Sequence, residues 1–144
     1  MGNNTSDQNE KLFEADREKL AEIARKYDLD LVVLFGSRVK GRAVPGSDVD
    51  LAVRFVKRDW GNVDLELDLI GELNQAVGGQ GEIDVAFLNG ASPLLLFEVA
   101  CSGDPLYQRE PDTFTLFKSY AALRYYDHNK FFDLEDKYLK ERYG

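Results

Sequence analysis

An alternating segment that opens on two aspartates constrains this chain more than any other feature. In DVDLAVRF, residues 48–55, apolar side chains alternate with Asp48, Asp50, Ala52 and Arg54, which is the period of a β-strand with one apolar face. Residues two apart on a strand project from the same face, so Asp48 and Asp50 are expected to lie close together. Because like charges repel and desolvation is costly, the segment predicts a positive group between the two carboxylates.

The donor atoms in the chain limit what that positive group can be. Cys101 and His128 are the single cysteine and the single histidine, so thiolate or imidazole metal centres and a Ser-His-Asp triad on another histidine are excluded. Any metal must then be bound by oxygen, and Mg²⁺ takes carboxylate oxygens while keeping positions for water and phosphate. Cys101 itself lies in the apolar segment LLLFEVAC, which predicts a buried structural thiol rather than a nucleophile.

A second alternating segment carries a third carboxylate. In EIDVAFL, residues 82–88, Asp84 is on the polar side of the predicted strand. If this strand pairs beside the first with its polar face on the same side, Asp84 joins Asp48 and Asp50. Three carboxylates can hold two metals ~3.5–4 Å apart, the arrangement used for in-line phosphoryl displacement. The alternative is that Asp84 occupies the polar side of an amphipathic strand by chance.

A glycine-rich loop precedes the acidic strand. Residues 31–35 are continuously apolar and predict a buried strand, and GSRVKGRAVPGS follows them. Gly36 and Ser37 give the backbone room to approach a polyphosphate and donors to bind it, and Arg38, which we prefer, or Lys40 can offset its charge. Each motif alone is usually a turn or a solvated strand end, so the interpretation depends on their combination.

Composition and charge narrow the class of protein. The chain has 144 residues, of which 44% are hydrophobic, as expected for one globular domain spanning residues 1–144. A net charge of -8 argues against broad binding to nucleic acid. Arg38, Lys40 and Arg42 form a local basic patch, with partly solvated loop cations as the alternative. We find no membrane span or signal segment and expect a cytoplasmic protein.

The remaining pattern completes an α/β fold with a small mixed β-sheet of three to four strands flanked by helices. The segment at residues 92–103 has a Ser cap, a Pro in the first turn and a terminal Gly, as helices do. Beyond Pro111, one or two long helices hold nine of the 17 aromatic residues. This C-terminal helical segment, about 111–143, either binds a partner or packs on the sheet. Other predicted elements are helices at 11–29 and 63–77 and an edge strand at 104–108.

The order of these motifs resembles a known family. Gly36-Ser37, ten residues, Asp-Val-Asp, and then a third aspartate in EIDVAFL resemble the nucleotidyltransferase superfamily of DNA polymerase β, in its minimal single-domain (MNT) branch. The resemblance spans the core at about residues 10–108. It implies a nucleotidyltransferase-like core that transfers a nucleoside monophosphate from an NTP to a hydroxyl. Asp48 and Asp50 match the metal ligands, Asp84 the third carboxylate and candidate base, and Gly36 and Ser37 the triphosphate-binding turn.

The same resemblance implies a partner. Larger relatives use a second domain to hold an acceptor, and small MNT proteins are commonly antitoxins of HEPN-domain ribonuclease toxins. The implied function is Mg²⁺- and ATP-dependent transfer of AMP to a hydroxyl of such a toxin, within a hetero-oligomer. Two alternatives stay open: a binding-only antitoxin with a vestigial site, and a stand-alone transferase that modifies a small molecule such as an antibiotic.

Overall fold

The computed structural model describes residues 17–36, 49–56, 62–77 and 83–143. These residues form a mixed α/β fold with one four-stranded sheet, so the predicted fold class is confirmed. In chain order the elements are α1 (Arg17–Lys26), β1 (Leu29–Phe35), β2 (Val49–Phe55), α2 (Val63–Ala76), β3 (Ile83–Phe87), α3 (Pro93–Ser102), β4 (Asp104–Gln108) and α4 (Thr113–Tyr143).

The sheet has the strand order β3-β2-β1-β4. β1 runs antiparallel to both β2 and β4, and β4 is an edge strand as predicted. β2 and β3 run parallel, because α2 carries the chain back between them. The first residues of β2 and β3 therefore lie at the same edge of the sheet as the last residue of β1.

Helices cover both faces of this sheet. The α1/α2 face is the side on which α1 and α2 pack, and the α3/α4 face is the side on which α3 and α4 pack. β1 supplies Val32 and Leu34 to the first core and Leu31, Val33 and Phe35 to the second. Burial on both faces explains why this strand is apolar without interruption.

β2 directs its apolar set toward the α1/α2 face, as its alternation predicts. The buried residues of that set are Val49, Leu51, Val53 and Phe55. The opposite side of β2 is also covered, since Ala52 is fully buried in the α3/α4 core. The sequence predicts one apolar face for β2, whereas the strand contributes to the cores on both faces of the sheet.

Two sequence-based expectations need correction. The first helix ends at Lys26, and Leu29 already belongs to β1, because Asp28 has a φ of 58° that turns the chain. Cys101 is exposed, so the prediction of a buried thiol was wrong. Val99 is on the buried side of α3, and a residue two positions later is about 200° around the helix.

The C-terminal segment is one continuous helix rather than two. α4 packs on the α3/α4 face through Phe114, Phe117 and Ala121, and Tyr125 stacks on Phe97 of α3 with ring centroids 4.0 Å apart. The packing alternative for this segment therefore holds for one side of α4. Among the described helices, none is long and apolar enough to cross a membrane.

Arg54 connects α4 to the sheet. Its guanidinium donates to both carboxylate oxygens of Asp30 at 2.9 and 2.8 Å and lies 5.5 Å from the centre of the Phe117 ring. A half-buried bidentate pair over an aromatic ring restrains all three groups. The beginning of α4 is thereby held against the last residues of β2.

Asn89 closes the end of β2, and its removal should weaken the fold. Its Oδ1 accepts from the Phe55 N–H at 2.8 Å and its Nδ2 donates to the Phe55 carbonyl at 3.1 Å. We expect Asn89→Ala to lower the free energy of unfolding by about 1–3 kcal/mol, since two hydrogen bonds are lost. Asn74→Ala, which removes one exposed bond to the Ile70 carbonyl, is the control. Urea denaturation showing equal losses for both variants would contradict this role.

Candidate functional site

Two carboxylates lie side by side where β2 and β3 begin. Asp50 is the second residue of β2 and Asp84 the second residue of β3, and they are direct partners in the parallel ladder. Partners on adjacent strands are about 4.8 Å apart and project to the same face. Asp50 is half-buried and Asp84 is exposed. The pairing that would bring Asp84 to the acidic strand is therefore present.

The pair belongs to the α3/α4 face. Ala52 and Ala86 are the next residues on the same side of these strands and are partners in turn. Both contact the core beneath α3 and α4. Asp50 and Asp84 accordingly project from the side of the sheet that carries α4.

Gly36 makes room for the Asp50 carboxylate. It follows Phe35, the ladder partner of Asp50, and its φ of 87° is in the left-handed region. A β-carbon at Gly36 would overlap Asp50 Oδ2 and stand 3.1 Å from Asp50 Cγ. Sequence reasoning assigned Gly36 to phosphate alone and missed this contact. No local sequence signal could have predicted the contact between Gly36 and Asp50. It depends on the register between β1 and β2, which is set by the packing of the two strands in the sheet.

The structure describes three of the six predicted site residues, Gly36, Asp50 and Asp84. Asp48, Ser37 and Arg38 lie outside the described residues, so their roles stay predictions. In the part of the chain that the structure describes, no three His, Cys, Asp or Glu side chains are grouped as a metal site would require. The described pair is nevertheless suited to a cation, because two carboxylates on one face offer only oxygen donors, the set that Mg²⁺ takes.

Two other charged residues near Asp50 and Asp84 lie away from the pair. Arg54 is on the same face as Asp50 but four residues further along β2, which separates the two residues by about 13 Å at 3.3 Å per residue. The Arg54 guanidinium is paired with Asp30 of β1. Asp104 is at the same edge of the sheet, but its ladder partner is Leu34. Because Leu34 belongs to the α1/α2 core, Asp104 is on the opposite side of the sheet. It offers a matched control for the two site carboxylates.

A family profile described as polymerase beta, nucleotidyltransferase, matches residues 18–112. The chain belongs to the polymerase β nucleotidyltransferase family. The match contains Gly36, Asp50 and Asp84, and it confirms the resemblance read from the motifs. No curated protein matches the sequence significantly.

Solved structures with the same fold include toxin–antitoxin complexes. A chain of a toxin–antitoxin complex with AMP-PNP is 23% identical with a TM-score of 0.64, and the match covers 88% of this nucleotidyltransferase and 96% of that chain. A chain of a complex between the tri-AMPylated Shewanella oneidensis HEPN toxin and its MNT antitoxin is 21% identical, with a TM-score of 0.60 and coverage of 90% and 96%.

A putative nucleotidyltransferase from Sulfolobus solfataricus also has this fold. It is 18% identical with a TM-score of 0.51, and the match covers 77% of this nucleotidyltransferase and 93% of that chain. At these identities the similarities establish a shared architecture. The family and the fold thus agree with each other.

Two glycine substitutions should have opposite effects on stability. Gly36→Ala forces a side chain into a left-handed φ and against Asp50, so we expect the free energy of unfolding to fall by at least about 1–2 kcal/mol. The control is Gly71→Ala, since a β-carbon at that α2 position would have nothing within 4 Å. It should raise the free energy of unfolding by about 0.5–1 kcal/mol. Urea denaturation followed by circular dichroism measures both, and an undiminished stability of Gly36→Ala would contradict the close approach.

Proposed function

We propose that this nucleotidyltransferase transfers AMP from ATP to a hydroxyl of a HEPN-domain toxin and thereby acts as its antitoxin. The observation that carries the proposal is the in-register pair of Asp50 and Asp84 beside Gly36, in a chain of this family. Two structures with the same fold support the nucleotide and the acceptor, since one is a toxin–antitoxin complex with AMP-PNP and another holds a tri-AMPylated HEPN toxin. We place this activity in the cytoplasm, where ATP is abundant.

The transfer is a substitution at the α-phosphorus of ATP. The oxygen of the acceptor hydroxyl forms a bond to that phosphorus, and the bond between the phosphorus and the bridging oxygen of pyrophosphate breaks. Pyrophosphate leaves with the electron pair. The hydroxyl proton passes to a carboxylate, and Asp84 is our candidate for this base because it is exposed at the strand start.

The carboxylates also lead us to propose a metal requirement. We assign Asp48, Asp50 and Asp84 as ligands of two Mg²⁺ ions, which would offset the repulsion between these side chains. When bound, Mg²⁺ would neutralise part of the negative charge on the phosphates. We assign Gly36 and Ser37 to the triphosphate-binding turn and Arg38 to a phosphate contact. The residues on this edge would thus hold the nucleotide, while the acceptor comes from the partner.

Removing the charge of the paired carboxylates should slow AMP transfer strongly without preventing toxin binding. The chain is incubated with the product of the neighbouring gene, ATP and Mg²⁺, and that protein is weighed by intact-protein mass spectrometry for added AMP. Asp50→Asn combined with Asp84→Asn should slow the transfer by at least about 10²–10⁴-fold, the contribution of a proton-transfer group alone. Asp104→Asn, at the same edge but on the opposite face, should act like the wild type.

The result also separates catalysis from binding. Full transfer by the double Asn variant would contradict the site assignment. If the wild type adds no nucleotide to the toxin from any NTP and still neutralises it, the chain is a binding-only antitoxin.

Metal removal provides an independent test. We expect EDTA to stop AMP transfer and excess Mg²⁺ to restore it, since the phosphate charge is otherwise unbalanced. Isothermal titration of Mn²⁺ into the chain without nucleotide should show weaker binding for Asp50→Asn than for the wild type, and unchanged binding for Asp104→Asn. Transfer that continues in EDTA would contradict the metal requirement.

A further inference from the structure

One side of α4 exposes a row of large apolar side chains. The α4 stripe consists of Leu116, Tyr120, Leu123 and Tyr126, which are 61%, 49%, 64% and 62% exposed. The first three follow the 4- and 3-residue spacing that keeps side chains on one side of a helix, and Tyr126 borders them. Contiguous exposed apolar surface of this kind marks an interaction site in soluble proteins.

The α4 stripe and the carboxylates are on the same side of the sheet. α4 packs on the α3/α4 face through Phe114 and Phe117, and Asp50 projects from that face two residues before Ala52. A protein bound to the outer side of α4 would therefore be on the side of the sheet where transfer takes place. An acceptor protein needs such a position to present its hydroxyl.

Part of α4 belongs to the architecture shared with chains from toxin–antitoxin complexes. The match to the chain of the AMP-PNP complex leaves 12% of the 144 residues, about 17, uncovered. α4 alone has 31 residues, so at least part of it is included in the match. The helix is thus not an addition peculiar to this chain.

The structural neighbours favour a toxin over a second copy as the protein bound there, since chains of this fold occur in toxin–antitoxin complexes. Net charge does not decide the choice, because α4 carries six Lys and Arg against five Asp and Glu although the whole chain has a net charge of -8. Tyr side chains are also enriched in the buried centres of interfaces.

We propose that the α4 stripe is the surface by which this chain holds the HEPN-domain toxin. The inference rests on the proposed function for the identity of the partner. The stripe provides the apolar centre of the interface, and it holds the toxin on the side of the sheet from which Asp50 and Asp84 project.

Charged substitutions on two helices test the inference. Leu116→Lys combined with Leu123→Lys places two charges in the α4 stripe. Val63→Lys combined with Leu67→Lys is the matched control, because these α2 side chains are 62% and 60% exposed and belong to a helix on the opposite face. Isothermal titration with the toxin, tested as the product of the neighbouring gene, should show a Kd at least about 100-fold higher for the α4 variant. The Kd of the α2 variant should stay within about threefold of the wild type.

Three results would overturn the inference. They are an unchanged Kd for the α4 variant, no binding of the toxin by the wild type, and self-association of the wild type that the α4 substitutions abolish in sedimentation velocity. Circular dichroism melting checks that both double variants fold.

AMP incorporation separates this inference from the proposed function. The Asp50→Asn, Asp84→Asn variant should bind the toxin with the Kd of the wild type. Wild-type binding through the stripe without any AMP transfer supports the inference and contradicts the proposed activity. AMP transfer by the wild type together with an unchanged Kd for the α4 variant supports the proposed activity and contradicts the inference about the α4 stripe.

Discussion

The in-register parallel pairing of β2 with β3 is the constraint on which the rest of the site depends. A slip of one residue would turn Asp84 to the α1/α2 face, because side chains alternate along a strand. A slip of two would keep the face but move Asp84 about 6.6 Å along it. Ile83 must stay buried on the α1/α2 face, and Phe87 stacks on Phe55 with centroids 6.0 Å apart. Apolar packing on one face therefore sets the position of the carboxylates on the other.

The opposite neighbour of β2 contributes a second constraint on Asp50. β1 is antiparallel to β2, so its last residue pairs with Asp50 and Gly36 follows immediately. The carboxylate occupies space that a β-carbon at Gly36 would take. The half-buried Asp50 thus has Gly36 on one side and Asp84 on the other, unlike an aspartate at a solvated strand end. This is the physical difference between the site interpretation and an isolated Asp-x-Asp motif.

Local signals predicted most of the elements because each depends on its own residues. Ser92 Oγ accepts from the Leu95 N–H at 3.2 Å and Gly103 ends the helix, as the cap pattern of α3 indicates. Periodicity predicts which residues share a face of an element, but not what covers that face. The pairing of Asp84 with Asp50 could therefore be stated only conditionally, and the exposure of Cys101 was missed. The same limit left the C-terminal segment open between packing and binding, whereas one side of α4 packs and the other is exposed.

The position of α4 relative to the carboxylates follows from contacts of β2 itself. Arg54 is on the strand that carries Asp50, and it binds Asp30 while its guanidinium lies over the ring of Phe117. Phe117 is almost fully buried in the α3/α4 core, so the first turns of α4 cannot shift along the sheet without disturbing this cluster. A protein held on the outer side of α4 would be held relative to Asp50 through the helix, the Phe117–Arg54 contact and four residues of strand. Since each of these links is packed or hydrogen-bonded, the core fixes the first turns of α4 relative to Asp50.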